Sequence, residues 1–541
     1  MSGQSAAYLS ALTRRRLLGT LSAGAVLACT GGLAHAQDSA TPGDQPAEPA
    51  VPPQQPFTFD SLTQEMRDAA TKPMPGAQIP EGFLSQLNYD DYRLIRFNPD
   101  RARFADDEHS RFRLHAFHMG WLFKEPVLLY EVSNGKAWLM GFDTDDFIYE
   151  REARQRVPEH VGLPGVAGFR LHYPLNRPDV FDELVAFQGA SYFRALGRGS
   201  AYGLSARGLA VNTGMPVAEE FPRFTRFWIQ KPENGSNTLA IWAALDSASL
   251  TGAYQFVITP GEETQIDVTA RLFFRADVQQ LGIAPLTSMF LYGPRNRNRF
   301  DDFRPQVHDS DGLAILRDDG ERLWRPLSNP KSLASSYFVE TTPRAFGLLQ
   351  RDRDFDHYQD ASAVYERRPS CLVEPIGDWG KGMVRLVEIP SESEVNDNIV
   401  AFWVPDQAAR AGETMEFSYR LRFGDLPPDP NANRAYAIAS RAGIGGVSGV
   451  PNTDGSRKFV IDFAGGTLSN FPASQVDQLQ VVATAAQGEI VNKTLQRVPE
   501  SKVWRMVLDV KPQGSVVELS AHIAGFDQKL SETWLFQWIN Q

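Results

Sequence analysis

From about residue 80 onward, short runs rich in Val, Phe, Leu and Tyr alternate with turn residues. Runs at 112–121, 127–132, 226–229, 264–274 and 347–349 read as strands. Turns fall at Asn98-Pro99, Asn134-Gly135, Asn234-Gly235 and Asp319-Gly320. The clearest strand is 415–423. There Met415, Phe417, Tyr419, Leu421 and Phe423 alternate with Glu416, Ser418, Arg420 and Arg422, which predicts one buried and one wet face. Helical patterns are few. An amphipathic stretch at 60–71 starts at Asp60 or Ser61 as its cap, and weaker patterns lie at 178–187 and 277–281. No internal repeat is present, and the fold class is all-β.

The pattern breaks at Gly424-Asp-Leu-Pro-Pro-Asp-Pro-Asn431. Three prolines in eight residues exclude a central strand and predict a stiff linker over 424–432. About seven short strands follow over 433–541, including runs at 459–463, 480–483, 504–510 and 534–539. This is the strand count of an immunoglobulin-like sandwich. The large β unit is then 56–423. Residues 37–55 are rich in Pro, Ala, Gln and acid and read as a disordered spacer.

Residues 1–36 read as an address. Thr13-Arg-Arg-Arg-Leu-Leu-Gly19 has the form of a twin-arginine signal peptide. A mild apolar run at 17–28 follows, and Ala34-His-Ala36 fits a small-x-small cleavage site. The run is too short and too rich in Gly, Ser and Thr to span a bilayer, so no stable membrane insertion is expected. Export by this route implies a protein that folds inside and works in the periplasm. Val26-Leu-Ala-Cys29 is a competing lipid-attachment reading.

Charge narrows the partners. The net charge of -11 becomes -14 once residues 1–36, with three arginines and no acid, are set aside. With no basic stripe, nucleic acid is excluded as a partner and a neutral ligand fits better. Of two cysteines, only Cys371 lies beyond the leader, so no intramolecular disulfide staples the mature chain.

The chemically odd stretch is Leu386-Val-Glu-Ile-Pro-Ser-Glu-Ser-Glu-Val-Asn-Asp-Asn-Ile-Val-Ala-Phe-Trp403. Two apolar runs, 384–389 and 399–403, hold an acidic loop carrying Glu392, Glu394 and Asp397. Acids on a short loop between buried strands are accurately positioned, and crowding raises a carboxyl pKa toward what a general acid needs. The same loop also fits a plain solvated turn.

Other chemistries find little support. The nine histidines form no metal-binding spacing, and His115 and His118, three apart in a strand, face opposite sides. Asp309-Ser-Asp-Gly312 lacks the sixth-position glycine of a calcium loop. Gly203-Leu-Ser-Ala-Arg207 is no nucleophile elbow, and the isolated glycines form no phosphate loop. No metal and no cofactor is expected.

Six motifs in order carry a resemblance over almost the whole chain after the leader. They are Leu87-Asn-Tyr-Asp-Asp-Tyr-Arg93, Gly189-Ala-Ser-Tyr-Phe-Arg194, Tyr202-Gly-Leu-Ser-Ala-Arg-Gly-Leu-Ala210, Arg304-Pro-Gln-Val-His-Asp-Ser-Asp-Gly312, Tyr365-Glu-Arg-Arg-Pro-Ser370 and the acidic stretch. The chain resembles the osmoregulated periplasmic glucan biosynthesis proteins, the paired G and D family. Its leader points to the D type.

The resemblance implies a large amino-terminal β-sandwich with a cleft, of the galactose-mutarotase-like supersandwich type, then a small immunoglobulin-like β-sandwich. It also implies an inverting hydrolase or transglycosylase acting on β-1,2-glucan. Asp397 matches the general acid, Asp309 the base, Glu394 a supporting acid and Tyr365 a tyrosine that relays a proton or binds sugar. Tyr192, Arg194, Tyr202, Arg207, Trp379 and Lys381 lie in or beside the motifs as sugar-binding candidates. Core packing competes for the aromatics, and a structural salt bridge competes for Arg194 and Arg207. Trp403 is assigned to the core.

An inverting pair predicts carboxyls ~6.5–9.5 Å apart, stretched if a proton relay intervenes. Two other readings stay open. One is a non-catalytic glucan-binding protein that shapes nascent chains. The other is a scaffold that touches the membrane glucan synthase through the small domain.

Overall fold

The computed structural model describes residues 53–77, 79–428, 433–447 and 449–540. The leader, most of the spacer and part of the linker lie outside the described residues. Among the described residues no helix is long and apolar enough to cross a membrane.

Two large sheets stack face to face over residues 55–424. Asn134 and Gly135, both at positive φ, make the hairpin between Leu128–Ser133 and Lys136–Leu139. The strand expected at 415–423 is Thr414–Gly424, and its alternation holds: the odd positions from Met415 to Phe423 are buried. It sits between Thr264–Phe274 and Ser370–Ile376 in the larger sheet. The second sheet runs through Ala334–Thr341, Lys381–Glu388, Ile399–Pro405, Leu281–Ser288, Ser205–Arg207, Tyr192–Ala195, Asp182–Gln188, Gly168–Tyr173 and Arg113–Phe117. One continuous core fills the space between the sheets. In it Phe187 stacks on Phe169 and Phe193 at 5.1 and 5.2 Å and meets Phe224, Phe227 and Phe256 edge-on.

Several local expectations fail for identifiable reasons. The helix is Phe59–Ala70, and Thr58 caps it in a reciprocal capping box with Ser61, not Asp60 or Ser61. The pattern at 178–187 is no helix. Asp182–Gln188 is a strand whose Val185 and Phe187 pair with Leu171, Phe169, Ala195 and Phe193, and this tertiary pairing overrides local propensity. Residues 277–281 are not helical either; Val278 forms a lone bridge to Ala409. The run at 112–121 stops at Phe117, so His118 lies beyond the strand and alternation no longer relates it to His115. His115 instead packs on His172 at 4.1 Å, and His118 Nε2 meets the Tyr149 hydroxyl at 3.0 Å.

The carboxy-terminal unit is a sandwich of seven strands longer than two residues. Tyr436–Ile444, Arg457–Ala464, Trp504–Pro512 and Gly488–Arg497 form one sheet; Leu479–Ala486, Val516–Gly525 and Thr533–Ile539 form the other. Trp504, Trp534, Phe459 and Phe536 fill its core. The unit is not simply tethered. Thr533–Ile539 adds in parallel to Arg322–Pro326, with Leu323 beside Thr533 and Trp324 beside Trp534, so the larger sheet runs on into the small sandwich. A buried ion pair crosses the joint: Arg351 Nη1 and Nη2 donate to the Glu532 carboxylate at 2.7 and 3.1 Å.

Candidate active site

The strand Leu281–Ser288 is the spine of the site. Its last residues pair on one side with Ile399–Pro405, Ser288 opposite Ile399. The chain continues as Phe290–Tyr292, which pairs with Val307–His308, Phe290 opposite His308. Asp397 lies just before the first partner and Asp309 just after the second. Residues 88 apart in sequence thus reach the same three-residue segment, 288–290.

Side-chain bonds fix both approaches. The Asp309 N–H donates to Met289 O at 2.8 Å, and the hydroxyls of Ser310 and Ser288 meet at 2.8 Å. Asn398, buried beside Asp397, accepts from Phe290 N at 2.8 Å and donates to Phe290 O and Ile389 O, each at 3.0 Å. This clamp holds both ends of the acidic loop on the spine.

Their surroundings differ. The Asp397 side chain is 18% exposed, with its Oδ2 3.9 Å from Arg194 Nη2. Asp309 is wholly buried, with its Oδ1 3.8 Å from Arg368 Nε. Glu394, 35% exposed, accepts from the Tyr365 hydroxyl at 3.0 Å and pairs with Arg304 Nη1 at 2.7 Å. Arg304 also binds Asp302 and Asp360, at 2.7 and 2.9 Å, and the Asp302 bond in particular holds its pKa above the usual guanidinium range. The same arginine holds the Asp302 carboxyl down at about 2. Tyr365 is presented by Val364 at φ 44°, ψ 52°. A left-handed β-branched residue is strained, and such strain persists only where the surroundings impose it. The Arg368 guanidinium lies 5.1 Å from the Tyr365 ring and donates to Ala363 O at 2.7 Å and to Tyr202 O.

The binding candidates divide. Arg194 and Arg207 stand on adjacent paired strands, with Arg207 opposite Tyr192. Arg194 Nε donates to Ser205 Oγ at 2.7 Å. Arg207 donates to Thr287 Oγ1 at 2.8 Å and to Glu219 at 2.9 Å, and lies 4.7 Å from the Tyr192 ring. Arg194 faces Asp397 directly, and the Asp397 charge also acts on Arg207. Tyr202 is half-buried beside a cavity of about 100 Å³ that it shares with Tyr192, Arg194, His118 and Arg170, and burial raises its pKa well above the usual phenol value. That space is below the ~300 Å³ lower end of ligand pockets.

Trp379 and Lys381 are not brought to the site. They stand at the start of Lys381–Glu388, whose far end feeds the acidic loop, roughly 23 Å away at strand rise. Trp379 is core: it donates to Ser418 O at 3.1 Å and meets Phe417 and Tyr419 edge-on. Lys381 points to solvent. Trp403 is fully buried, as expected.

Sequence reasoning missed Arg304, Arg368 and Asn398. All three sit inside the quoted motifs: Arg304 opens one, Arg368 follows Tyr365 by three, and Asn398 adjoins Asp397. Their positions were visible; their partners were not.

Fold and site together define a two-unit β-sandwich protein with a carboxylate- and arginine-lined site beside the spine of its second sheet. The family model described as "Periplasmic glucan biosynthesis protein, MdoG" matches residues 57–538. A protein named glucans biosynthesis protein G from Cereibacter sphaeroides is 58% identical, with 99% of each chain covered. One of the same name from Rhodopseudomonas palustris is 44% identical over 90% of this chain and 95% of its own. A probable glucans biosynthesis protein D from Shewanella oneidensis is 41% identical over 90% of each. The chain belongs to the MdoG family of periplasmic glucan biosynthesis proteins, and both G and D names occur among its relatives.

Proposed function

We propose that this protein cleaves or rearranges β-1,2-glucan in the periplasm, as an inverting hydrolase or a related transglycosylase. The observation that carries the reading is the convergence of Asp397 and Asp309 on the 288–290 segment. Asp397, reachable from solvent and close to Arg194, protonates the leaving oxygen, directly or through a bridging sugar hydroxyl. Asp309 takes the proton from the attacking water or acceptor hydroxyl on the other face. Because Asp309 is buried, that proton arrives through an ordered water or hydroxyl rather than from open solvent. Tyr365, Glu394 and Arg304 form a charge-assisted wall that keeps the acidic loop in place. Tyr192, Arg194 and Arg207 bind sugar hydroxyls. Export by the twin-arginine route places the folded enzyme beside the membrane glucan synthase, whose nascent chains are its substrate.

The complete burial of Asp309 favours a second reading, a groove that binds glucan without chemistry. The two part on product analysis. Wild type, Asp397→Asn and Asp309→Asn are incubated with linear β-1,2-glucan and the chain lengths are resolved. The enzymatic reading expects shortened or rearranged chains from wild type only, with glucan still bound by Asp397→Asn. Unchanged chains from a wild type that binds them well would leave the groove as a binding site.

A further inference from the structure

The joint between the two units holds a second, open cavity, of about 740 Å³, whose lining includes neither Asp309 nor Asp397. Its lining is cationic: Arg295, Arg299, Lys331 and Arg457 contribute to it, against a single acid, Glu388. Glu388 is already matched by buried Arg325, 3.0 Å away. Among the described residues, none of the four cations has a carboxylate at ion-pair distance. Their hydrogen bonds go to carbonyls: Arg299 to Asn329 O at 2.6 Å, Arg457 to Arg295 O at 3.4 Å, and Arg295 to Leu327 O and Ser440 O. Carbonyls orient these side chains and leave their charge in place.

Four unmatched cations in one cavity are unexpected in a chain of net charge -11. Arg299 and Lys331 stand exposed at the rim of the cavity, but for the part-buried Arg295 and Arg457 desolvation and mutual repulsion both oppose the arrangement. Burial lowers Arg295 to about 10, and Arg325 and Arg457 push the same way against the partial pull of Glu388 and Asp311. Burial lowers Arg457 as well. An anion relieves both costs, and guanidinium forks suit a multivalent oxyanion best.

We infer that this interdomain cavity is a phosphate site, taking the group either as the free ion or as an ester on a sugar. The site also touches the acidic loop: Asn329, in the cavity wall, accepts from Ser391 N at 2.9 Å and donates to Ser391 O at 2.7 Å. Occupancy therefore bears on the segment that leads to Glu394 and Asp397.

The test is calorimetric titration of the full protein with inorganic phosphate, glucose 6-phosphate and glucose, at ionic strength held constant with chloride. Saturable binding of inorganic phosphate is expected, with a matching rise in Tm. Lys331→Gln/Arg457→Gln weakens it at least about tenfold, while Arg410→Gln, at an exposed loop far from the cavity, leaves it unchanged. Without phosphate, Arg457→Gln alone holds or raises Tm, because it removes like-charge repulsion; a purely structural arginine would lower it. Tighter binding of glucose 6-phosphate than of the free ion, with none of glucose, marks a sugar ester as the ligand, and equal binding marks the free ion. No saturable response up to about 20 mM phosphate, or equal binding by the double variant, overturns the proposal.

Discussion

Glu532→Gln tests whether the small sandwich is built into the large one or merely follows it. Glu532 is buried and accepts three hydrogen bonds: from Arg351 Nη1 and Nη2 at 2.7 and 3.1 Å and from Ala437 N at 2.7 Å. A glutamine keeps its oxygen for two of them and turns an NH2 toward the third donor. Arg351, stacked 3.6 Å from the Trp324 ring, then keeps a buried charge without its counter-ion. Breaking one side of a buried pair costs about 3–5 kcal/mol. In a protein of this size that lowers Tm by several degrees, since about 1 kcal/mol already shifts a 150–250-residue domain by ~2–4 °C. Urea unfolding followed by tryptophan fluorescence reads it directly, because Trp324 and Trp534 flank the joint. Arg351→Met in the Glu532→Gln background should cost little more, as the stranded charge is gone. A loss under about 1 kcal/mol for Glu532→Gln, or two separate transitions already in wild type, would refute the reasoning.

Asn398→Asp, isosteric, turns two donated bonds to Phe290 O and Ile389 O into oxygen–oxygen repulsions. It should cost about 2–4 kcal/mol in urea unfolding and speed amide exchange at Phe290; unchanged exchange would show that Asn398 does not clamp the loop. Asp311 titrates in the reachable range. Burial pushes its carboxyl from 3.8 up to about 6, against the pull of Arg351. A raised carboxyl pKa means the native state holds the proton more tightly, so stability falls as pH rises from 3.8 to about 6 and is level above, by about 3 kcal/mol in all. Asp311→Asn removes this dependence, so its stability relative to wild type should improve between pH 4 and 7; a difference flat with pH would be the contrary result.

Much of this architecture could be read from the chain. Alternation at 415–423 predicts a strand because both faces of the sheet keep their character along its whole length. The seven carboxy-terminal strands follow from turn spacing for the same reason. The misreadings fall where a local pattern meets a distant partner. Residues 182–188 pair on both edges, which no window of sequence contains. Trp379 and Lys381 lie close in sequence to the acidic loop but at the other end of one strand, and sequence proximity does not reveal strand direction. Arg304 and Arg368 stood within the motifs, yet their roles depend on Glu394 and Asp309, dozens of residues away.

The linker shows the same limit and explains what the small unit does for the site. A proline-rich segment predicts two bodies on a stiff tether. The observed joint instead passes through Arg351, whose backbone N–H donates to Asp311 Oδ2 at 3.0 Å while its guanidinium holds Glu532. Asp311 is two residues from Asp309, and its other backbone donor is Asp352 at 3.1 Å. One arginine thus ties the turn that carries the buried carboxylate to the carboxy-terminal sandwich. A turn held only by its own sheet would be free to swing the Asp309 side chain. Pinned at Met289 by a backbone bond and at the joint by Arg351, it is fixed at two points. In this arrangement the small unit works as a brace behind the second carboxylate.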